Sequence, residues 1–446
     1  MFRFSILFLL LVNLGMNAQQ EQDYSFSLEE AITFALDSNY TAINAKRDVL
    51  AAIKQKWETT ATGLPQINAN VDYRNNLKQP VTLIPAEFSG GEPGTFTPVV
   101  FGVPETMSAT ATLNQLLFDG SYIVALEASK TFLEYSRNLE QKTTSVIRKE
   151  VVNAYGNVLL ARENIKILES NKSTLEKNLR ETTEIFKNGL TEEEDVEQLQ
   201  ITLSTIETQL KNAERILDLS SQMLNITLGI DLENTITLTD NLESLIAENI
   251  DLQLLTSELT LDKNIDYKIA NNFTEQRRLE LKLERYKALP TLSGFVNYGT
   301  QANSDSFTFL DSEQRWFQSS IAGVSLQIPI FSSLGRTAKT QRARIAFDQA
   351  KTEFEETVQK IKLEANSAKN EYRFSIDNYE NSKSNLDLAE RIERKNQIKF
   401  FEGLSSSFDL RQAQLQLYNA QQEYLQAMLD VINKKAELER ILNTTN

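Results

Sequence analysis

The sequence predicts a mainly α-helical protein with four membrane-type β-strands, built from two copies of one helix–strand–strand–helix–helix unit. The duplication is visible at 186–196, where Phe-Lys-Asn-Gly-Leu-Thr-Glu-Glu-Glu-Asp-Val recurs at 400–410 as Phe-Phe-Glu-Gly-Leu-Ser-Ser-Ser-Phe-Asp-Leu. Before each copy, two short segments of alternating apolar and polar residues lead into a very long run without proline. A repeat of this size indicates two large supersecondary units, and a period of two indicates strands with one apolar face.

Composition removes several classes of function. The 446 residues include no cysteine and no histidine, which excludes thiol nucleophiles, imidazole bases, disulfides and the common zinc and copper ligand sets. The net charge of −15 argues against nucleic acid as a partner. Carboxylates alone could still serve a metal or glycosidase site, but no spacing of acidic residues points to one. We therefore expect no enzymatic activity and no cofactor.

The first 18 residues have the pattern of a signal peptide. Arg3 supplies the positive charge, residues 6–12 form a short apolar run, and the small residue Ala18 ends the segment. This pattern predicts cleavage near Ala18 and export of the mature chain. No later segment has about 18 consecutive apolar residues, so any membrane insertion is expected through strands.

The first unit is predicted over residues 19–228. Ser27 and Glu30 form a capping box that begins a short helix, and a second helix is expected to stop at Gly63. The two strands, the long helix and the shorter helix of this unit are expected at about 66–75, 107–118, 119–187 and 192–228.

Two connections in the first unit carry turn signals. Residues 76–105 contain five of the eight prolines and are interpreted as a loop. Gly189 fits the C-cap position of the long helix, and Thr191 with Glu194 forms a capping box for the next helix.

The second unit is predicted over residues 259–446, after an irregular connector at 229–258 that can hold small mixed elements. Its strands and helices are expected at about 291–300, 319–331, 333–401 and 405–443. Apolar residues follow a heptad pattern at 196–217, 354–372 and 410–431, which predicts coiled-coil packing of neighbouring helices.

Four strands present a closure problem, because an open sheet edge in lipid leaves backbone groups unpaired. Several copies of the chain must therefore pool their strands. Two copies would supply eight strands, and three copies would supply twelve with room for a water-filled lumen.

These features together resemble the TolC-like outer-membrane efflux protein family. The resemblance covers essentially the whole mature chain and rests on three features. They are the opening Ser27-Leu28-Glu29-Glu30-Ala31 with Ala35 and Asn39, the duplicated order of elements, and the two Gly-Leu-[Thr/Ser] turns. Two departures are the lack of a cysteine for lipidation and a degraded second copy of the opening signature around 252–270.

The resemblance implies a homotrimer with a 12-stranded β-barrel and a 12-helix α-barrel, located in the outer membrane of a Gram-negative-type cell and reaching into the periplasm. It implies outer-membrane lipid, a periplasmic adaptor and an inner-membrane transporter as partners. The function expected is the passive exit duct of a tripartite efflux pump for small molecules. The alternatives are the outer-membrane component of a type I protein secretion system and, from another class, an exported coiled-coil structural or adhesion protein. A carboxylate-based periplasmic hydrolase has no supporting cluster of loops and acids.

The two turns, which we call the tips, have two interpretations. Capping alone explains a glycine, an apolar residue and a hydroxyl at a helix-to-helix turn. The resemblance implies in addition that the tips dock the adaptor. The candidate docking residues are Gly189, Leu190, Thr191, Gly403, Leu404 and Ser405.

Asp195 and Asp409 lie one helical turn beyond the tips. Each carboxylate is favourable at a helix N-terminus, which explains it without further function. The resemblance implies a ring of aspartates that narrows the periplasmic mouth of the pore, with Asp409 at the matching position. Glu192–Glu194 are interpreted as a solvated acidic face. Trp316 and Phe317 could form part of an interfacial aromatic belt or pack in an ordinary loop.

Overall fold

The computed structural model describes residues 24–443, so the predicted signal peptide at 1–18 lies outside the described residues. The elements, in chain order, are β1 (Tyr24–Phe26), α1 (Leu28–Ser38), α2 (Tyr40–Ala61), β2 (Gln66–Asn75), β3 (Val81–Pro85), β4 (Phe96–Val100), β5 (Glu105–Phe118), α3 (Gly120–Lys187), α4 (Glu193–Leu228), β6 (Ile236–Leu238), α5 (Leu242–Asn249), α6 (Leu252–Thr256), α7 (Ile265–Tyr286), β7 (Thr291–Ser304), β8 (Phe317–Gln327), α8 (Gly335–Phe401) and α9 (Ser407–Leu442). The predicted fold class, mainly helical with four long strands, is confirmed.

The described residues form two compact units. One, the helical unit, holds residues 24–45, 141–264 and 361–443. The other, the strand unit, holds residues 46–140 and 265–360. Each unit therefore draws on both sequence repeats. Within residues 24–443, none of the helices is both long and apolar enough to cross a membrane.

The strand unit contains an antiparallel sheet with the strand order β2-β5-β7-β8. Residues that pair across neighbouring strands point their side chains to the same face of the sheet. One set of paired residues, which lies on one face, is Ile67, Leu113, Val296 and Ala322. A set on the opposite face is Asn70, Thr110, Gly299 and Ser319. The sheet thus has one apolar and one largely polar face, as the alternation predicted, and apolar side chains such as Ile67 are 71% exposed.

Residues 76–105 were predicted to be a loop, and this prediction is wrong. They contain an antiparallel hairpin of β3 and β4, in which Val81 pairs with Val100 and Leu83 with Pro98. The hairpin continues directly from the main sheet, because the Asn76 N–H donates to the Pro104 carbonyl at 2.8 Å. A two-stranded ribbon tolerates its prolines because each strand has an unpaired outer edge.

The junction between β8 and α8 also differs from the prediction. The strand ends at Gln327 rather than at 331, and the nearby Pro329 cannot donate to a ladder. Ser333 and Leu334 have φ of 47° and 62°, so the helix begins at Gly335 rather than at 333. The Arg336 guanidinium donates to the carbonyl oxygens of Pro329 at 2.8 Å and Ile330 at 3.2 Å, which holds this turn together.

The core of the helical unit packs α1, α3, α4, α8 and α9 around the connector 229–258, which contains β6 and α5. A buried tyrosine in each long helix holds the connector in place. Tyr155 donates to the Phe26 carbonyl or to Asp240, both at 3.0 Å, and Tyr372 donates to the Asn249 carbonyl at 2.6 Å. Burial raises the pKa of both phenols, so they act as neutral hydrogen-bonding groups. The Ser27–Glu30 capping box that begins α1 is confirmed.

The heptad positions are packing residues, as predicted. In α4 and α9 most of them are buried, while α8 buries the later members of its set. Leu168 and Leu175 of α3 pack with Leu199, Ile206 and Ala213 of α4 in an apolar cluster of their own. Apolar packing of this kind joins the two helices of a hairpin along their length.

Candidate functional site

The two tips are helix-to-helix turns of the same geometry. At the first, the Gly189 N–H donates to the Phe186 carbonyl at 2.8 Å and the Leu190 N–H to the Ile185 carbonyl at 3.1 Å. This pair of bonds is the Schellman arrangement, and Gly189 adopts the left-handed φ of +72° that it requires. The predicted C-cap glycine is therefore confirmed here.

The second tip repeats the arrangement. The Gly403 N–H donates to the Phe400 carbonyl at 3.0 Å, and the Leu404 N–H donates to the Lys399 carbonyl at 2.8 Å. Gly403 has a φ of +73°. The repeated sequence thus marks a repeated backbone geometry.

The leucine of each tip is not used for packing within the chain. A Schellman turn often places an apolar residue after the glycine against the preceding helical turn. Here Leu190 is 78% exposed and Leu404 is 73% exposed. Capping explains the glycines, but it does not explain two large apolar side chains held in solvent.

The predicted capping residues are displaced from their expected positions. α4 has Glu192 at its N-cap with no side-chain bond, so the Thr191–Glu194 capping box is wrong. The Thr191 hydroxyl instead donates to the Asp195 carboxylate. At the second tip the N-cap is Ser406, not Ser405.

Asp409 belongs to the cap of α9. The Ser406 hydroxyl donates to its carboxylate at 2.8 Å and the Ser405 hydroxyl at 3.1 Å, while the Asp409 N–H donates back to Ser406 at 3.2 Å. These hydrogen bonds, first those of Ser406 and then that of Ser405, lower the pKa of Asp409. The side chain is exposed and stays within its own turn.

Asp195 lies near the first residue of α9, Ser407. Burial alone would raise the pKa of Asp195, but hydrogen bonds from the Ser407 and Thr191 hydroxyls lower it. Because Ser407 is the first residue of α9, its hydroxyl places a polar group of the α8–α9 hairpin near the start of α4. Ser407 was not singled out in the sequence; the run of three serines after Leu404 was the only signal for it.

Further polar bridges connect the two hairpins above the tips, and we call this set the polar seam. The bonded pairs, at 3.0, 2.9 and 2.6 Å respectively, are Asn178 with Gln397, Asn171 with Gln421, and Asn164 with Gln422. Asn178 is fully buried and Asn171 nearly so. The α3–α4 hairpin is thus held internally by an apolar cluster, and between the hairpins these amide hydrogen bonds accompany apolar contacts such as that of Leu429 with Gly156. Hydrogen bonds can exchange partners during sliding more readily than interdigitated apolar side chains can.

A cluster of aromatic residues lies at the end of the sheet in the strand unit. The Tyr73 ring on β2 lies 5.5 Å from that of Phe307 and 5.9 Å from that of Phe309. Tyr73 belongs to the apolar face of the sheet. Nearby in the chain, Trp316 is half-buried and Phe317 is exposed under the Arg315 guanidinium. Whether Trp316 and Phe317 form a membrane belt stays a prediction.

Comparison with known proteins finds similarity to outer-membrane efflux proteins. Residues 259–444 match the family model described as "Outer membrane efflux protein". The chain is 22% identical over 420 residues to the outer membrane protein TolC of Vibrio cholerae serotype O1, covering 92% of this chain and 88% of that protein.

Solved structures share the fold over nearly the whole chain. CusC matches with a TM-score of 0.74 at 18% identity, covering 93% of this chain and 92% of CusC. The outer membrane protein VceC of Vibrio cholerae matches with a TM-score of 0.71 at 15% identity, covering 93% and 95%. Both units of the chain therefore lie within the shared fold.

Proposed function

We propose that this chain, a TolC-like outer-membrane efflux protein, forms as a homotrimer the passive exit duct of a tripartite efflux pump for small molecules. The observation that carries the proposal is the four-stranded sheet with one exposed apolar face and two long unpaired edges. CusC is described in terms of transmembrane channel formation, and TolC is named an outer membrane protein. An exported coiled-coil adhesion protein would have no use for such a sheet.

Three copies complete the sheet. Within one chain, β2 pairs only with β5 and β8 only with β7, so each leaves one edge without a ladder among the described residues. Edges of 10 and 11 residues cannot lie open in lipid. Pairing β8 of one copy with β2 of the next closes twelve strands, a number that leaves space for a water-filled lumen.

The tips supply the docking surface for a periplasmic adaptor. Leu190 and Leu404 are large exposed apolar side chains on rigid turns, which suits insertion into a groove of a partner. The adaptor in turn connects the duct to an inner-membrane transporter that supplies the energy. The duct itself needs no chemistry.

Opening is proposed to be a sliding of the α8–α9 hairpin against the α3–α4 hairpin. The polar seam holds the contacts that would exchange in such a movement. Asp409, exposed at the start of α9, would contribute three carboxylates to a ring at the mouth of the trimer. Such a ring would favour cations.

Membrane extraction and conductance test the function. The proposal expects a detergent-requiring trimer that forms ion-conducting pores in planar bilayers. A rod that is released without detergent and does not conduct would overturn it. The adhesion protein predicts the second result.

A further inference from the structure

A basic cavity lies in the strand unit between the C-terminal end of α7 and the N-terminal part of α8. Its volume is about 430 Å³. Its walls include five basic side chains and two half-buried aromatic rings. We call it the basic cavity, and its basic residues are Arg278, Lys282, Arg285, Arg344 and Lys351.

Three of these five charges are compensated by carboxylates. Arg278 pairs with Glu275 at 2.6 Å and with Glu127 at 3.2 Å, and Lys282 also contacts Glu127. Lys351 pairs with Asp348 at 3.2 Å.

The other two are not compensated. Across residues 24–443, neither Arg285 nor Arg344 has an ion pair or a side-chain hydrogen bond to another residue. Both are exposed. A local excess of two guanidinium groups stands out in a chain whose net charge is −15. Guanidinium groups bind phosphate oxygens through two parallel hydrogen bonds, so an oxyanion of this geometry would satisfy them.

The aromatic rings give the cavity an apolar side. The Lys282 ammonium lies 5.6 Å from the centre of the Tyr286 ring, and the Lys351 ammonium lies 4.2 Å from that of Phe347. A ligand that combines a phosphate with acyl chains matches this combination better than a bare inorganic anion.

The first repeat has no arginine at the positions that correspond to Arg285 and Arg344. With Leu64-Pro65 aligned to Leu289-Pro290, Arg285 corresponds to Thr60. With the first residues of the long helices aligned, Gly120 to Gly335, Arg344 corresponds to Ser129. Since the first repeat forms the same helix–strand–helix arrangement without them, the two arginines are not needed to build the fold.

The position of the cavity agrees with a lipid ligand. Arg285 lies one residue before the end of α7, which leads into β7, and Arg344 lies nine residues into α8, which follows β8. At a rise of 1.5 Å per residue, the backbone of Arg344 lies about 14 Å along the helix from the first residue of α8, and that of Arg285 about 2 Å from the last residue of α7. If the strands span the bilayer as proposed above, this is the level of the phospholipid headgroups.

We propose that the basic cavity binds the phosphate group of an anionic phospholipid in the periplasmic leaflet of the outer membrane, through Arg285 and Arg344. This inference rests on the proposed membrane orientation of the strand unit. It adds a lipid-binding site to the proposed channel, located where the sheet meets the helices.

Native mass spectrometry of the detergent-purified trimer with added phosphatidylglycerol tests the site. The double variant Arg285→Gln with Arg344→Gln is expected to bind this lipid at least about tenfold more weakly than the wild type, because charge-assisted hydrogen bonds are lost. The matched control is Arg277→Gln with Arg342→Gln. It removes one arginine from each of the same two helices but none from the cavity.

The outcomes separate the sources of phosphate. Loss of lipid binding in the cavity variant alone, with inorganic phosphate unable to displace the lipid, supports the proposal. Equal binding by wild type and cavity variant overturns it. Displacement of the lipid by inorganic phosphate at comparable concentration would assign the cavity to free phosphate and also overturn it.

Measuring the conductance of the same variants distinguishes a failure of the lipid-site proposal from a failure of the channel proposal. Conducting trimers that show no preference for the anionic lipid would refute the lipid site and leave the duct intact. A wild-type protein that neither trimerises nor conducts would refute the duct itself.

Discussion

Asp195 and Asp409 occupy corresponding positions in the two tips but are held by different neighbours. Asp195 is half-buried, accepts a hydrogen bond from Thr191 and lies near Ser407 of the other hairpin. Asp409 is exposed and is bound only by serines of its own turn. Their pKa values are both lowered, so both are expected to be charged in neutral solution. The difference is consistent with the proposal that Asp409 contributes to the pore ring, since its carboxylate is the more exposed of the two.

Substitution of the two aspartates should therefore have distinct effects on the pore. Asp409→Ala is expected to lower cation selectivity, because it removes three charges from the proposed ring. Adding Asp195→Ala should also widen conductance, since it removes the carboxylate that accepts from Thr191 and lies near Ser407 of the other hairpin. Reversal potentials and single-channel conductance in planar bilayers measure both effects.

The matched control is Glu193→Ala, which removes an exposed acid from the same tip. It should leave both quantities nearly unchanged. In the wild type, selectivity should persist through the pH range in which a free aspartate loses its charge and fall only in more acidic solution, because hydrogen bonds from Ser406 and Ser405 lower the pKa of Asp409. A double variant with wild-type conductance and selectivity would rule out the ring.

In each tip the glycine is required for the turn, whereas the leucine is an exposed side chain available for docking. Mutations can test these two roles separately. Leu190→Ser with Leu404→Ser is expected to weaken binding of a purified periplasmic adaptor, with each buried leucine contributing about 1.5–3 kcal/mol to the complex. The thermal stability of the trimer should hardly change, because both side chains are exposed in the free chain.

Two further variants complete this test. Leu310→Ser removes a leucine that is 82% exposed but lies in the β7–β8 connection, and it should leave adaptor binding intact. Gly189→Ala should cost about 1 kcal/mol of stability through its positive φ alone, since no atom lies within 4 Å of the added methyl group. Wild-type affinity of the double leucine variant for the adaptor would contradict docking at the tips.

The turns show which local features could be predicted from the sequence. Gly189 and Gly403 could be assigned because a left-handed residue after a helix is nearly always glycine. The N-caps could not be assigned to the residue. Thr191, Ser405 and Ser406 all offer hydroxyls near the right position, and the entry angle of the following helix selects among them.

The hairpin of β3 and β4 shows a different limit. Its apolar residues alternate, but Pro85 and Pro98 interrupt the pattern and read as loop signals. The pairing of Val81 with Val100 depends on a turn that closes over many residues, which no short window of sequence contains. The main strands lacked such interruptions, and their alternation was sufficient to predict them.

The polar seam depends on pairing between distant segments, which a single sequence does not contain. Asn178 and Gln397 lie in different repeats, and nothing around either residue indicates the other. The heptads, by contrast, were visible because each follows a fixed period within one helix. The sequence therefore supports a prediction of which surfaces pack, but not of which hydrogen bonds lie between the hairpins.

Closure of the sheet by three copies is the feature on which the whole duct depends, and cysteine cross-linking can test it. The chain has no cysteine, so every disulfide that forms must join the introduced cysteines. Val71 of β2 and Ala322 of β8 lie on the same face of the sheet. If β8 of one copy pairs with β2 of the next, cysteines at Val71 and at Ser320, Ala322 or Val324 should come within disulfide distance in one register.

Each copy contributes one β2 and one β8, so oxidation should convert monomers through covalent dimers into a closed covalent trimer. The matched control combines Val71→Cys with Ile321→Cys, whose side chain lies on the opposite face and should not cross-link. Conversion that stops at a covalent dimer would indicate eight strands rather than twelve. The duct would then be too narrow for a water-filled lumen, because an eight-stranded interior is filled by side chains or holds at most one small ligand.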